Sequence, residues 1–170
     1  MSSSNTTQIF AQSDANQTVP YILADENTFY YQFSRDLYLA KQEVIIESPF
    51  ITTKKLASLK SVFETLVSKS VKVFVITRDP SEHNYVMSNQ SELAIRYFES
   101  LGVQVLISKS HHRKIAMIDR KVIWKGSLNI LSHRSSREFM EREEDMQKAK
   151  RLFSFLNYDK VSDINNHLLY

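Results

Sequence analysis

The sequence predicts an α/β domain in which helices cover both faces of a mixed, mostly parallel sheet. Three observations carry this. Segments with apolar residues at helical spacing alternate with short β-rich apolar runs, and that alternation implies crossover connections between parallel strands. No internal repeat, heptad pattern or interdomain linker interrupts the alternation. The chain has 170 residues, 42% hydrophobic and 24% charged, an ordinary composition for one domain with a substantial core.

Residues 1–18 are rich in Ser, Asn, Gln and Thr, with no apolar or Arg-rich amphipathic targeting segment. Residues 1–20 are therefore expected to be a flexible tail before a single domain at 21–170. Residues 26–42 predict a helix with Phe29, Phe33, Leu37 and Ala40 on one face and Asp25 as N-cap. Val44, Ile45 and Ile46, closed by Ser48 and Pro49, predict a buried strand. Thr53 is placed to cap a second helix striped by Leu56, Leu59, Phe63 and Leu66. Residues 71–77 predict the next strand, ended by Arg78, Asp79 and Pro80. Asn89 and Glu92 have capping-box spacing for a third helix carrying Leu93, Tyr97 and Leu101, which Gly102 stops. Further strands are expected at 103–107, 112–118, 122–125 and 137–141, with a turn at Asp119, Arg120 and Lys121. Residues 144–157 predict a closing helix with Met146, Leu152, Phe153 and Leu156 facing inward, and 162–170 a short element or tail.

Composition narrows the function classes. Cysteine is absent, so there is no disulfide framework and no thiolate metal site, which suits a reducing cytoplasm. No apolar run approaches the ~20 residues of a membrane helix, so no membrane partner is expected. The net charge is only +3, but residues 109–137 hold eight Lys or Arg against one acid, Asp119. The remainder has 14 basic and 18 acidic residues. A focused basic patch attracts polyanions such as nucleic acid.

Inside that basic segment lies the string H-x-K-x4-D-x6-G-S-x-N, formed by His112, Lys114, Asp119, Gly126, Ser127 and Asn129. On a strand, His112 and Lys114 would project from one face, while Arg113, Ile115 and Met117 project from the other. After a turn at Asp119 the chain can return Ser127 and Asn129 beside them, and Gly126 permits a close backbone approach or an unusual φ. An imidazole, an ammonium, a hydroxyl and a carboxamide could then converge on a phosphate. The histidine spacings match neither zinc-finger nor H-E-x-x-H templates, so no metal site is read here.

This string resembles the signature of the phospholipase D superfamily and matches it at every fixed position from His112 to Asn129. Chance agreement in a chain of this length is on the order of 10⁻⁶. The resemblance extends to the strand and helix order over residues 25–157. It implies that His112 is the nucleophile of a phosphohistidine mechanism and that Lys114 and Asn129 hold the non-bridging oxygens. Ser127 supports them, and Asp119 is structural. A downstream glutamate would orient the imidazole: Glu138 is the choice and Glu141 the runner-up. Arg113, His133, Arg134 and Arg78 are further candidates for substrate contacts, with Lys54 and Lys55 as weaker ones. His111 is read as a loop or edge histidine, His83 as non-catalytic, and Trp124 as core.

What the resemblance implies is a metal-independent phosphodiesterase needing no cofactor; the basic patch and the small single-motif architecture favour nucleic acid over lipid, and so a DNA endonuclease. The alternatives are a phospholipase or phosphatidyltransferase, or a non-catalytic nucleic-acid-binding module. The mechanism needs two histidines and the chain has one motif, so a homodimer with a shared site near the motif is expected. Residues 126–134 also resemble nuclease domains of restriction systems and helicases, so a helicase or recognition subunit is a further expected partner.

Overall fold

A computed structural model describes residues 8–11, 20–132 and 136–163. The elements run β1 (Gln8–Ala11), β2 (Pro20–Asp25), α1 (Phe29–Leu39), β3 (Glu43–Glu47), α2 (Thr53–Ser68), β4 (Lys72–Arg78), α3 (Tyr85–Ser100) and β5 (Gln104–Ser108). They continue with β6 (Ile115–Ile118), β7 (Val122–Gly126), β8 (Phe139–Glu144), α4 (Met146–Phe155) and α5 (Tyr158–Asp163). The described strands make one sheet in the order β1-β2-β8-β7-β6-β3-β4-β5.

The sheet is mixed and flanked by helices, as the sequence implies, but the balance of pairings differs. Only β3–β4 and β4–β5 pair parallel, and the other neighbours are antiparallel. The reason is connectivity. Parallel pairing needs a crossover, and here it occurs where α2 and α3 supply one. β6 and β7 form a hairpin, and β8 and β2 continue the antiparallel half. Strand β2 falls where the sequence predicts only the approach to a helix. Strand β1 falls inside the segment read as a tail, because antiparallel pairing with β2 (Gln8 opposite Leu23) gives its backbone a ladder that composition does not reveal.

Strand alternation sorts the core into two layers. Val44, Ile46, Val73, Val75, Ala116, Ile118 and Trp124 face α1, α2 and α3. Ile45, Phe74, Ile76, Met117 and Ile123 face Ala149, Phe153 and Tyr158 of α4 and α5. This is the period-2 rule applied to a sheet buried on both sides. Trp124 is fully buried, and its indole Nε1 donates to Asp36 Oδ2 at 2.7 Å, which satisfies the one polar atom of the ring.

Several helix starts lie a few residues from the expected ones. Thr52, not Thr53, caps α2 by accepting from Lys55 N at 3.3 Å. Asn84, not Asn89, caps α3 through Met87 N at 3.0 Å, so this helix begins more than a turn earlier. Asp25 does not cap α1. Its carboxylate closes the preceding turn by accepting from Asn27 N, Thr28 N and Thr28 Oγ1. Asp145 caps α4 through Lys148 N at 2.9 Å, which puts Met146 outside at 65% exposure and turns Ala149 inward. Gly102 ends the segment after α3 with φ +88.

Candidate active site

The motif is built on the β6–β7 hairpin. Asp119 and Arg120 both have positive φ, 51° and 50°, which gives the tight turn that matches strand twist. The Asp119 carboxylate accepts from Lys41 N, Gln42 N and Glu43 N at 2.9, 2.8 and 3.0 Å. It ties the hairpin to the start of β3, at the end of β6 opposite to His112.

At the other end, His112 and Lys114 precede β6 rather than lying on it, since the strand begins at Ile115. Strand alternation therefore does not bring them together; a direct contact does. Lys114 Nζ donates to the His112 carbonyl at 3.0 Å and lies 3.3 Å from His112 Nδ1. Ser127 and Asn129 return from β7 as expected. Ser127 N donates to the Phe139 carbonyl at 3.0 Å, and Ser127 Oγ accepts from Phe139 N at 3.2 Å. Gly126 sits where a Cβ would lie 2.2 Å from the Phe139 carbonyl oxygen, so its role is close approach to β8 and not an unusual φ.

His112, Lys114, Ser127, Asn129 and Glu138 line one open cleft of about 620 Å³, with Phe50 as an aromatic wall. Asn129 lines the cleft, and its Oδ1 is buried with no hydrogen-bond partner among the described residues. Glu138 receives Ser136 Oγ at 2.9 Å, and its own N–H donates to Glu26 Oε2 at 3.1 Å. Glu141 does not line this cleft and instead lies 3.4 Å from Lys125 Nζ.

The structure does not direct every candidate to the cleft as expected. Arg113 touches its rim, but its guanidinium is committed to Glu47, with Nε and Nη2 donating at 2.5 and 2.9 Å. That bond raises the Arg113 pKa further. Arg78 points to Glu82, at 2.9 Å, and does not line the cleft. Lys55 is buried with Nζ 3.4 Å from the centre of the Tyr30 ring, and burial lowers its pKa. His133 and Arg134 lie outside the described residues. His111 is buried, with Nε2 3.3 Å from Glu47 Oε2 but not aligned for a hydrogen bond, and burial lowers its pKa. It does not line the cleft that holds Lys114 and Asn129, but shares a neighbouring pocket with His112.

The hub Glu47 was not singled out by sequence reasoning. It is fully buried at the end of β3 and also accepts from Tyr158 Oη at 2.6 Å. Burial, then the Glu47 charge, holds the Tyr158 hydroxyl well above its ordinary range. The available signal was an acid closing the apolar run Val44-Ile45-Ile46. The basic segment also looks different when folded. Arg113, Arg120, Lys121 and Lys125 meet Glu47, Glu43, Glu144 and Glu141 from β3 and β8. These acids are distant in sequence, so linear charge density overstates the positive patch.

Fold and cleft together define a class of protein: an α/β/α domain with an H-x-K motif at the mouth of its central hairpin. The chain belongs to the phospholipase D superfamily, since the family model described as cardiolipin synthase, PLD-like domain, matches residues 34–150. No curated protein matches its sequence. Among solved structures, it is similar to NucT from Helicobacter pylori, at 20% identity and TM-score 0.66, covering 84% of this chain and 94% of that one. It is also similar to Nuc from Salmonella typhimurium, a phospholipase D family member, at 14% identity and TM-score 0.63, covering 81% and 90%. Phosphatidylserine synthase from Haemophilus influenzae shares the fold at 14% identity and TM-score 0.57, covering 86% of this chain but 42% of its own length. Among the described residues, no helix is long and apolar enough to cross a membrane.

Proposed function

We propose that this protein is a phosphodiesterase that cleaves DNA through a phosphohistidine at a site shared by two copies of the chain. The observation that carries the proposal is the meeting of His112, Lys114, Asn129 and Glu138 in one cleft. Neutral His112 attacks phosphorus, a P–N bond forms, and the P–O bond to the leaving strand breaks. His112 of the second copy gives its proton to that departing oxygen, then takes one from the water that breaks the P–N bond. Lys114 and the Asn129 carboxamide hold the non-bridging oxygens. An incoming phosphate offers Lys114 better acceptors than the His112 carbonyl. Glu138 orients the imidazole from the cleft wall, a role its position supports over Glu141.

The second histidine is the reason for two copies. Among the described residues, His112 is the one histidine lining the cleft, and the adjacent His111 is buried against Glu47. A nucleic-acid substrate is supported by architecture. The chain spans nearly all of the two small structures named Nuc and NucT, but under half of the phosphatidylserine synthase.

The test incubates plasmid, oligonucleotides and phosphatidylglycerol vesicles with the protein in excess EDTA, and repeats each with His112→Ala. DNA cleavage that survives EDTA and vanishes in the variant is the expected result. Lipid turnover without DNA cleavage would replace the nuclease proposal with a phosphatidyltransferase. Turnover of neither would overturn the enzyme.

A further inference from the structure

We infer that Glu47 is a positioning residue, whose buried carboxylate holds the loop carrying the nucleophile His112 through the residues on either side of it. This rests on the phosphodiesterase reading above and deepens it.

His112 and Lys114 lie before β6, so the strand ladder that begins at Ile115 does not fix them. Side chains from elsewhere in the chain fasten their loop. Glu47 stands opposite Ile115 in the β3–β6 register, one residue beyond Lys114. Its carboxylate takes Arg113 by two guanidinium nitrogens, Nε donating to Oε2 at 2.5 Å and Nη2 to Oε1 at 2.9 Å. A two-point fork of this kind fixes direction as well as distance. On the other side of His112, the buried His111 imidazole brings Nε2 to 3.3 Å from Oε2. Tyr158 Oη donates to Oε1 at 2.6 Å, so α5 fastens the same carboxylate. Further back in the loop, Ser110 N donates to both oxygens of Glu82, at 3.1 and 2.8 Å, and Arg78 Nε donates to Glu82 Oε2 at 2.9 Å. The loop is thus pinned before and after His112, while His112 itself stays exposed.

The two carboxylate anchors are unequal. The Glu47 side chain is fully buried, whereas water reaches Glu82, so water can replace a lost bond at Glu82 but not at Glu47. Loosening the Glu47 clamp frees the backbone on which the attacking imidazole is mounted. A displacement of about 1 Å at a reacting atom costs on the order of a hundredfold in rate. Alignment for attack is more exacting than binding, so the loss falls on kcat. Arg113 acts in the same way, through Glu47 and the backbone. A residue that held substrate directly would show its loss in KM instead.

The test measures kcat and KM on bis(p-nitrophenyl) phosphate and on a DNA oligonucleotide, each variant below its own thermal transition. Glu47→Gln puts an amide donor where Arg113 or Tyr158 needs an acceptor, and Arg113→Lys keeps the charge but loses the fork. Both are expected to lower kcat about ten- to hundredfold with KM within about twofold of wild type. The double variant Glu47→Gln with Arg113→Gln leaves no buried charge unpaired, so it keeps the inference testable if Glu47→Gln fails to fold. Its kcat should equal that of Arg113→Gln alone within about threefold, because the two residues act as one unit. Unchanged kcat in Glu47→Gln or Arg113→Lys, losses confined to KM, or a double variant whose loss is the product of two independent losses would overturn the clamp and leave the phosphodiesterase standing. Wild-type protein that turns over neither substrate would overturn both together.

Discussion

Asp119 belongs to the motif but not to the cleft, and that separation can be measured. Its carboxylate accepts three backbone N–H groups from residues 41–43. Asp119→Ala removes all three hydrogen bonds and leaves a non-glycine residue at φ +51 without the side chain that tolerates it. A hydrogen bond to a charged group is worth about 1.5–3 kcal/mol net. Two of the three bonds are exposed and can be replaced by water, so the expected loss is about 2–3 kcal/mol and not the full sum. For a chain of this size, that lowers Tm by roughly 5–10 °C. Below the new transition, kcat on a phosphodiester substrate should stay within about twofold of wild type, because the turn lies at the far end of the hairpin. Thermal denaturation and steady-state kinetics on the same preparation decide it. A variant with unchanged Tm and a hundredfold lower kcat would refute the structural role.

Gly126→Ala would place a methyl against the Phe139 carbonyl, so it should destabilise by about 3 kcal/mol and abolish cleavage by parting β7 from β8; a normal Tm would contradict this. Glu47→Ala strips Arg113 and Tyr158 of their shared acceptor, and with Arg113 half exposed the expected loss is about 3 kcal/mol in denaturant titration. His83 and His111 both have lowered pKa values, mainly through burial, so the fold favours their neutral forms. The unfolded chain then binds more protons below the ordinary value of 6.5, and stability falls as pH drops through that point. Tm measured from pH 7 to 5 should decline, and His83→Phe should remove part of the slope.

Much of this was legible in the sequence, for definite reasons. The His112-to-Asn129 string is local, and a hairpin returns its two halves to one place. The helix stripes of Phe29, Phe33 and Leu37 or of Leu56, Phe63 and Leu66 announce their buried faces. What could not be read depends on distant partners. Arg113 looks like a substrate contact until Glu47, 66 residues earlier in the chain, arrives to bind it. The same holds for β2, whose place in the sheet is set by β8, and for the antiparallel half of the sheet. Phe50 sits by the cleft because Leu131 fastens its segment there, which no spacing rule announces. Asn89 and Asn84 are equivalent as caps by residue type, and tertiary packing chose the earlier one.

The central claim is that two copies of His112 make one active site. The direct measurement mixes wild-type chain with increasing fractions of His112→Ala, allows subunits to exchange, and follows phosphodiester cleavage. If both histidines are needed, activity falls with the square of the wild-type fraction, so an equal mixture retains about a quarter of the rate. A linear decline, with about half the rate at equal mixture, would contradict the shared site.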